Sequence, residues 1–113
     1  MPKILGSLTD LEHVRISGTN VYGEMPEELG NLSALQNLAL SRNKLTGDIP
    51  PSFSGLSNLA KFEVENNDLS GKIPLLSSTL TECLLAPGNS FTCSHPDNTI
   101  CIGSGVDGIS YDH

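Results

Sequence analysis

Leu8, Leu32, Leu56 and Leu80 stand 24 residues apart along this 113-residue chain, and that period constrains the fold more than any other feature. A unit so short cannot bury its own apolar side, so successive units must stack and close each other's cores. The other columns keep the same step. Three residues on come Leu11, Leu35, Leu59 and Cys83; six on, Val14, Leu38 and Phe62; eight on, Ile16, Leu40 and Val64. Eleven on stand Thr19, Asn43 and Asn67, then Val21, Leu45 and Leu69, then Gly23, Gly47 and Gly71. Each unit then reaches Met25-Pro26, Ile49-Pro50 or Ile73-Pro74.

Each column has a physical reading. Leu38-x-Leu40 has the alternation of a short strand with both Leu on the buried face, and successive strands should pair in parallel. The Asn that follows can hydrogen-bond backbone groups where the chain turns inside the coil, so Asn43 and Asn67 predict a ladder. Gly and Pro fix the next bend, and Leu29 or Phe53 closes the coil from its convex side. The result is a short right-handed solenoid. Seventeen Leu against no Trp, two Tyr and three Phe supply an aliphatic core and leave little for an aromatic-lined pocket.

The consensus LxxLxxLxLxxNxLxGxIPxxLGx, with Gly47-Asp48-Ile49-Pro50 and Gly71-Lys72-Ile73-Pro74 as its signature, resembles the plant-type leucine-rich repeats of receptor kinases, receptor-like proteins and polygalacturonase-inhibiting proteins. The resemblance covers roughly residues 1 to 93. It implies an α/β repeat solenoid with a short parallel β-sheet on the concave face and 3-10 or loop segments on the convex side. It also implies a non-catalytic module without cofactor, recognising a protein or peptide, or a glycan, outside the cell or at its surface as part of a longer parent. A secreted polygalacturonase-inhibitor-like protein and a purely structural scaffold are the alternatives.

Subtracting 24 from Met25, Pro26, Leu29 and Gly30 lands on Met1, Pro2, Leu5 and Gly6, so the chain opens inside a repeat and reads as a fragment of a longer protein. A partial repeat over 1–7 precedes repeats at 8–31, 32–55 and 56–79. A degenerate coil follows over 80–93, in which Leu84, Ala86, Asn89 and Phe91 take the strand, Asn and turn columns after a two-residue deletion. Residues 94–102 read as a C-terminal cap segment and 103–113 as a flexible Gly-rich tail.

Other chemistries find little support. Six Lys and Arg against thirteen Asp and Glu give a net charge of −7, which disfavours nucleic acid. No apolar run is long enough for direct membrane insertion of this segment, and the first residues form no signal peptide. Gly103-x-Gly105-x-x-Gly108 lacks the strand and helix a dinucleotide loop needs. Ser94, His95 and Asp97 are sequence neighbours, whereas triad members converge from separate elements. Cys93, His95 and Cys101 could ligate a metal, but a closed zinc site needs a fourth ligand that the segment lacks. Cys93 and Cys101 close a turn-rich loop suited to a disulfide; Cys83 paired with either, or free thiols throughout, are the alternatives. Asn31-Leu32-Ser33 is a glycosylation sequon between coils.

The concave columns are where a partner would bind. They bring His13, Arg15, Ser17, Gly18 and Asn20 beside Asn37, Ala39, Ser41, Arg42 and Lys44, and these beside Lys61, Glu63, Glu65, Asn66 and Asp68. Parallel strands lie about 4.8 Å apart, so these residues should form one exposed patch running from basic to acidic. Its candidate partner-binding residues are His13, Arg15, Ser17, Asn37, Arg42, Lys44, Lys61, Glu63, Glu65 and Asp68.

Overall fold

The computed structural model describes residues 1, 3–85, 87–93 and 110–111. Each coil contributes a three-residue strand, in the first three where the Leu-x-Leu pattern predicts it: β1 at His13–Arg15, β3 at Asn37–Ala39, β5 at Lys61–Glu63 and, in the fourth coil, β7 at Glu82–Leu84. These four pair in parallel in the order β1-β3-β5-β7. Across the first three, partners are 24 residues apart, as in His13, Asn37 and Lys61.

A second parallel sheet lies beyond the Asn turn, which the sequence reading did not contain. Its strands are β2 (Tyr22–Glu24), β4 (Lys44–Gly47), β6 (Asp68–Lys72), β8 (Ser90–Cys93) and β9 (Ser110–Tyr111), paired in that order. Gly23 pairs with Leu45 and Gly47 with Leu69, a step of 22 rather than 24, so each strand slips two residues against its neighbour. The β8–β9 pairing places Ser110–Tyr111 in a strand, where the sequence suggested only a flexible tail.

Among the described residues, three 3-10 helices complete the coils opposite the first sheet: η1 (Lys3–Ser7), η2 (Glu27–Asn31) and η3 (Pro51–Gly55). Pro26 and Pro50 are extended at their N-caps and Pro51 opens η3, where a missing N–H costs nothing. The helices stack closely because Gly6 and Gly30 carry no Cβ. One on Gly6 would come within 2.5 Å of the Glu28 carbonyl oxygen, and one on Gly30 within 2.7 Å of that of Ser52. The next residue in this column is Ser54, exposed, with no 3-10 helix following it among the described residues. There the shortened coil is tied down by side chains instead. The Thr79 hydroxyl donates to the Leu59 carbonyl at 2.8 Å, and the Ser77 hydroxyl to that of Ser57 at 3.1 Å.

Between helices and sheets lies one aliphatic core. Leu29, Leu32, Leu35, Leu38, Leu45, Leu56 and Leu59 are fully buried, as are Phe53 and Phe62, whose rings meet edge to face at 6.1 Å. The Asn ladder forms as predicted. The Asn43 carboxamide accepts from the amides of Thr19 at 3.0 Å and Val21 at 3.2 Å, and donates to the carbonyls of Ile16, Leu40 and Ser41. Asn67 accepts from Leu45 and Asn89 from Leu69, each also reaching back one coil for a carbonyl. The residue before Asn43 and Asn67 is left-handed, Arg42 at φ 56° and Asn66 at φ 61°.

The fourth coil departs from its expected register. Cys83, not Leu84, pairs with Phe62, and Leu85 is buried while Leu84 is exposed. The step from Phe62 to Cys83 is 21 residues and that from Asn67 to Asn89 is 22. Three residues are therefore lost before the strand and one regained after it, for the net loss of two that the sequence required. The regained residue lengthens the Asn turn: Asn89 donates to a carbonyl four residues back, where Asn67 reaches three.

Candidate functional site

Because Val14, Leu38 and Phe62 point inward, their neighbours stand on the outer face of the first sheet. The strand register sets them in rows. His13, Asn37, Lys61 and Glu82 form one; Arg15, Ala39, Glu63 and Leu84 form the next. The ladder continues past the strands, with the Gly18 amide donating to Ser41 and that of Arg42 to Glu65, so Ser17, Ser41 and Glu65 make a third row.

Not every candidate is where the sequence put it. Lys44 and Asp68 are exposed but begin strands of the second sheet, so the fifteen residues are not one patch on one sheet. Asn37, expected at the surface, is 7 % exposed, and its carboxamide oxygen meets no donor. Its flanking row members, His13 and Lys61, are much longer, and between them a short side chain sinks. His13, Arg15 and Arg42 are exposed; Ser17, Lys61, Glu63 and Glu65 are half-buried.

The expected gradient of charge is partly neutralised at its acidic end. The Lys61 ammonium lies 3.2 Å from Glu63 and 3.3 Å from Glu82. Hydrogen bonds to Glu63 and then Glu82, with their negative charge, raise the Lys61 pKa above its usual 10.5. Because its ammonium and the Glu82 carboxylate are open to solvent, this clamp adds little stability. Its effect is on the surface, since it removes the one cation of that row from service and leaves Glu65 without an ion-pair partner among the described residues. Glu82 and Leu84 belong to this face although the 24-residue period misses them, because they arrive by the 21-residue step. Their only sequence signal is the Cys83-x-Leu85 alternation.

The remaining sequence candidates fall elsewhere. Asn31 is exposed at the end of η2, within its sequon. Cys83 is a free thiol turned toward the core, where burial pushes its pKa up to about 12. Cys93 ends β8, while Cys101, His95 and the Gly103–Gly108 motif lie outside the described residues. Among the described residues no helix is long and apolar enough to cross a membrane.

The family profile described as "Leucine rich repeat" matches residues 9–69. No curated protein matches the chain. Among solved structures, the plant peptide hormone receptor RGFR1 in complex with RGF2 superposes with a TM-score of 0.82 at 31% identity, covering 98% of this chain and 18% of that one. The LRR ectodomain of the membrane receptor kinase GASSHO1/SCHENGEN3 from Arabidopsis thaliana, in complex with CASPARIAN STRIP INTEGRITY FACTOR 2, gives 0.82 at 30% identity, covering 99% and 14%. PEPR1–AtPEP1 gives 0.74 at 26% identity, covering 98% and 20%. The chain thus spans a fifth or less of each of these receptors.

Proposed function

The chain belongs to the leucine-rich repeat family, and on that premise we propose that it is a non-catalytic recognition module of an extracellular or cell-surface receptor-like protein, holding an extended peptide or protein segment on the concave face of its first sheet. The observation that carries this reading is the face itself. Three in-register rows of mostly charged and polar side chains stand on a parallel sheet, with Arg15 and Arg42 free of ion pairs among the described residues. Such a surface supplies register and charge complementarity and no nucleophile or base assembled for chemistry. The similar structures support the reading, since two of them hold a peptide hormone receptor with RGF2 and PEPR1 with AtPEP1. A glycan on Asn31 and a Cys93–Cys101 disulfide fit an extracellular parent and belong to the same proposal.

Charge reversal tests it. Arg15→Glu, Arg42→Glu, Glu63→Lys and Glu65→Lys should leave folding intact and weaken a partner captured with the full-length protein, through on-rate at the rim or off-rate beneath the partner. Lys72→Glu, exposed on the second sheet, is the control. Equal loss from control and first-sheet variants would refute the concave site, and no loss from any would favour a scaffold.

A further inference from the structure

Both parallel sheets stop at the same end of the solenoid. β1 and β2 are each paired on one side only, to β3 and β4, and no strand covers their outer edges among the described residues. The Ile16 amide donates to Ala39 and the Glu12 carbonyl accepts from Asn37, so by alternation His13 and Arg15 turn their own amides and carbonyls away from β3. Apolar surface lies between the two edges. Ile4, Leu8 and Tyr22 are 72 %, 49 % and 77 % exposed, beside the half-buried Leu5, Leu11, Ile16 and Val21 of the core. A hollow of about 390 Å³, lined by Ser7, Leu8, Thr9, Asp10 and Leu11, opens at the same place. Unpaired strand edges next to apolar surface are a template for pairing with another chain.

This end is not built like the joints between coils. Asn43, Asn67 and Asn89 each reach back one coil for a carbonyl, whereas Thr19, in the same column, turns its hydroxyl forward to Asn43 Oδ1 at 3.2 Å. The first coil therefore asks no carbonyl of a coil before it. The opposite end of a second molecule does not match either, because β9 already covers the outer edge of β8 and closes the second sheet to head-to-tail stacking. Like ends can still meet. We propose that this end pairs with the same end of a second copy about a two-fold axis, with the two β1 strands antiparallel. His13 of each copy exchanges amide and carbonyl hydrogen bonds with Arg15 of the other, Val14 meets Val14 at the centre, and the two four-stranded sheets become one. Leu8 and Leu11, which lead into β1, lie over Ile16 and Val21, which follow it in the other copy. With principal extents of 37, 29 and 19 Å, an end of the molecule covers roughly 500–1,000 Å², a range that includes the ~800 Å² per partner of a stable interface. The contact is isologous and closes at two copies.

Sedimentation velocity of the reduced 113-residue chain, followed across a wide range of concentration, should show monomer passing to dimer and no larger species. Reduction excludes a link through cysteine. His13→Pro removes an outward amide from each copy and no β1–β3 hydrogen bond, and an edge strand tolerates Pro, so it should weaken the dimer about ten-fold or more. Leu8→Lys, at an exposed position, should do the same and carries the test if His13→Pro fails to fold. Leu84→Lys, exposed on β7 at the other end, should leave the dimer unchanged. A chain that stays monomeric throughout would overturn the proposal. So would loss of the dimer with Leu84→Lys, or growth beyond two copies, since either marks stacking through the other end. Joining one 24-residue coil ahead of Met1 tests the remaining occupant. Loss of the dimer supports the proposal, and a dimer unchanged by the added coil places the interface elsewhere. A monomeric chain whose melting point the added coil raises would assign this end to a preceding coil and refute the second copy.

Discussion

Gly30→Ala probes the coil spacing most directly, because one methyl group meets the neighbouring helix at a fixed point. The added carbon would lie 2.5 Å from Ser52 Oγ, 2.6 Å from its Cβ and 2.7 Å from its carbonyl oxygen. The hydroxyl could rotate away only by giving up its 2.7 Å hydrogen bond to the Glu27 carbonyl, worth about 1 kcal/mol. The carbonyl oxygen cannot rotate, so η2 and η3 must separate. They carry Leu29 and Phe53, both fully buried, so the separation reaches the core. Overpacking of this kind costs about 1–3 kcal/mol. The reduced freedom of the unfolded chain returns roughly 0.4–1 kcal/mol. A net loss of about 1–3 kcal/mol remains, or very roughly 5–15 °C in Tm for a domain of this size. Gly55→Ala is the matched control, since its nearest contact is the Gly30 carbonyl oxygen at 3.9 Å, and it should be neutral or slightly stabilising. Urea titration followed by circular dichroism reads both, with the midpoint moving and the slope unchanged. Adding Ser52→Gly to Gly30→Ala removes two of the three close atoms and should recover only part of the loss. If Gly30→Ala proved no more costly than Gly55→Ala, close helix stacking would not set the coil spacing.

Further outcomes follow from the same packing. Asn43→Ala strips partners from the amides of Thr19 and Val21 and from three carbonyls, so denaturant titration should show a loss near or above about 3 kcal/mol, whereas Asn37→Ala, which removes an acceptor already unpaired, should cost little. Arg42→Gly relieves a left-handed backbone at φ 56° that costs an L-residue about 1–2 kcal/mol, and after the added chain entropy thermal melts should show stabilisation of up to about 1 kcal/mol. Burial raises the Cys83 thiol from 9.0 to about 12, so at pH 8 a thiol reagent should label it far more slowly in the folded than in the denatured chain. Above pH 9 the unfolded chain releases this proton while the folded one keeps it, so the contribution of Cys83 to stability, full below pH 9, falls as pH rises toward 12.

The 24-residue period by itself determined the strands of the first three coils, their parallel pairing, the inward Leu columns and the Asn ladder. Each of these depends on one unit meeting a copy of itself, and the columns state that contact directly. The fourth coil shows the limit. Glu82-Cys83-Leu84-Leu85 offers two strand phases with similar apolar content, and only pairing against Phe62 selects Cys83 and Leu85 over Leu84. The second sheet was hidden for a related reason: its strands pair with a slip of two residues, which no column aligned at 24 displays. Of the candidate face, the exposed positions of His13, Arg15 and Arg42 were legible from alternation and turn chemistry. The burial of Asn37 and the clamping of Lys61 were not, because a side chain's depth on a sheet is set by the length and charge of its neighbours on the strands beside it. Lys61 reaches Glu82 only after three deleted residues bring β7 into register, and that contact exists only in the stacked coils.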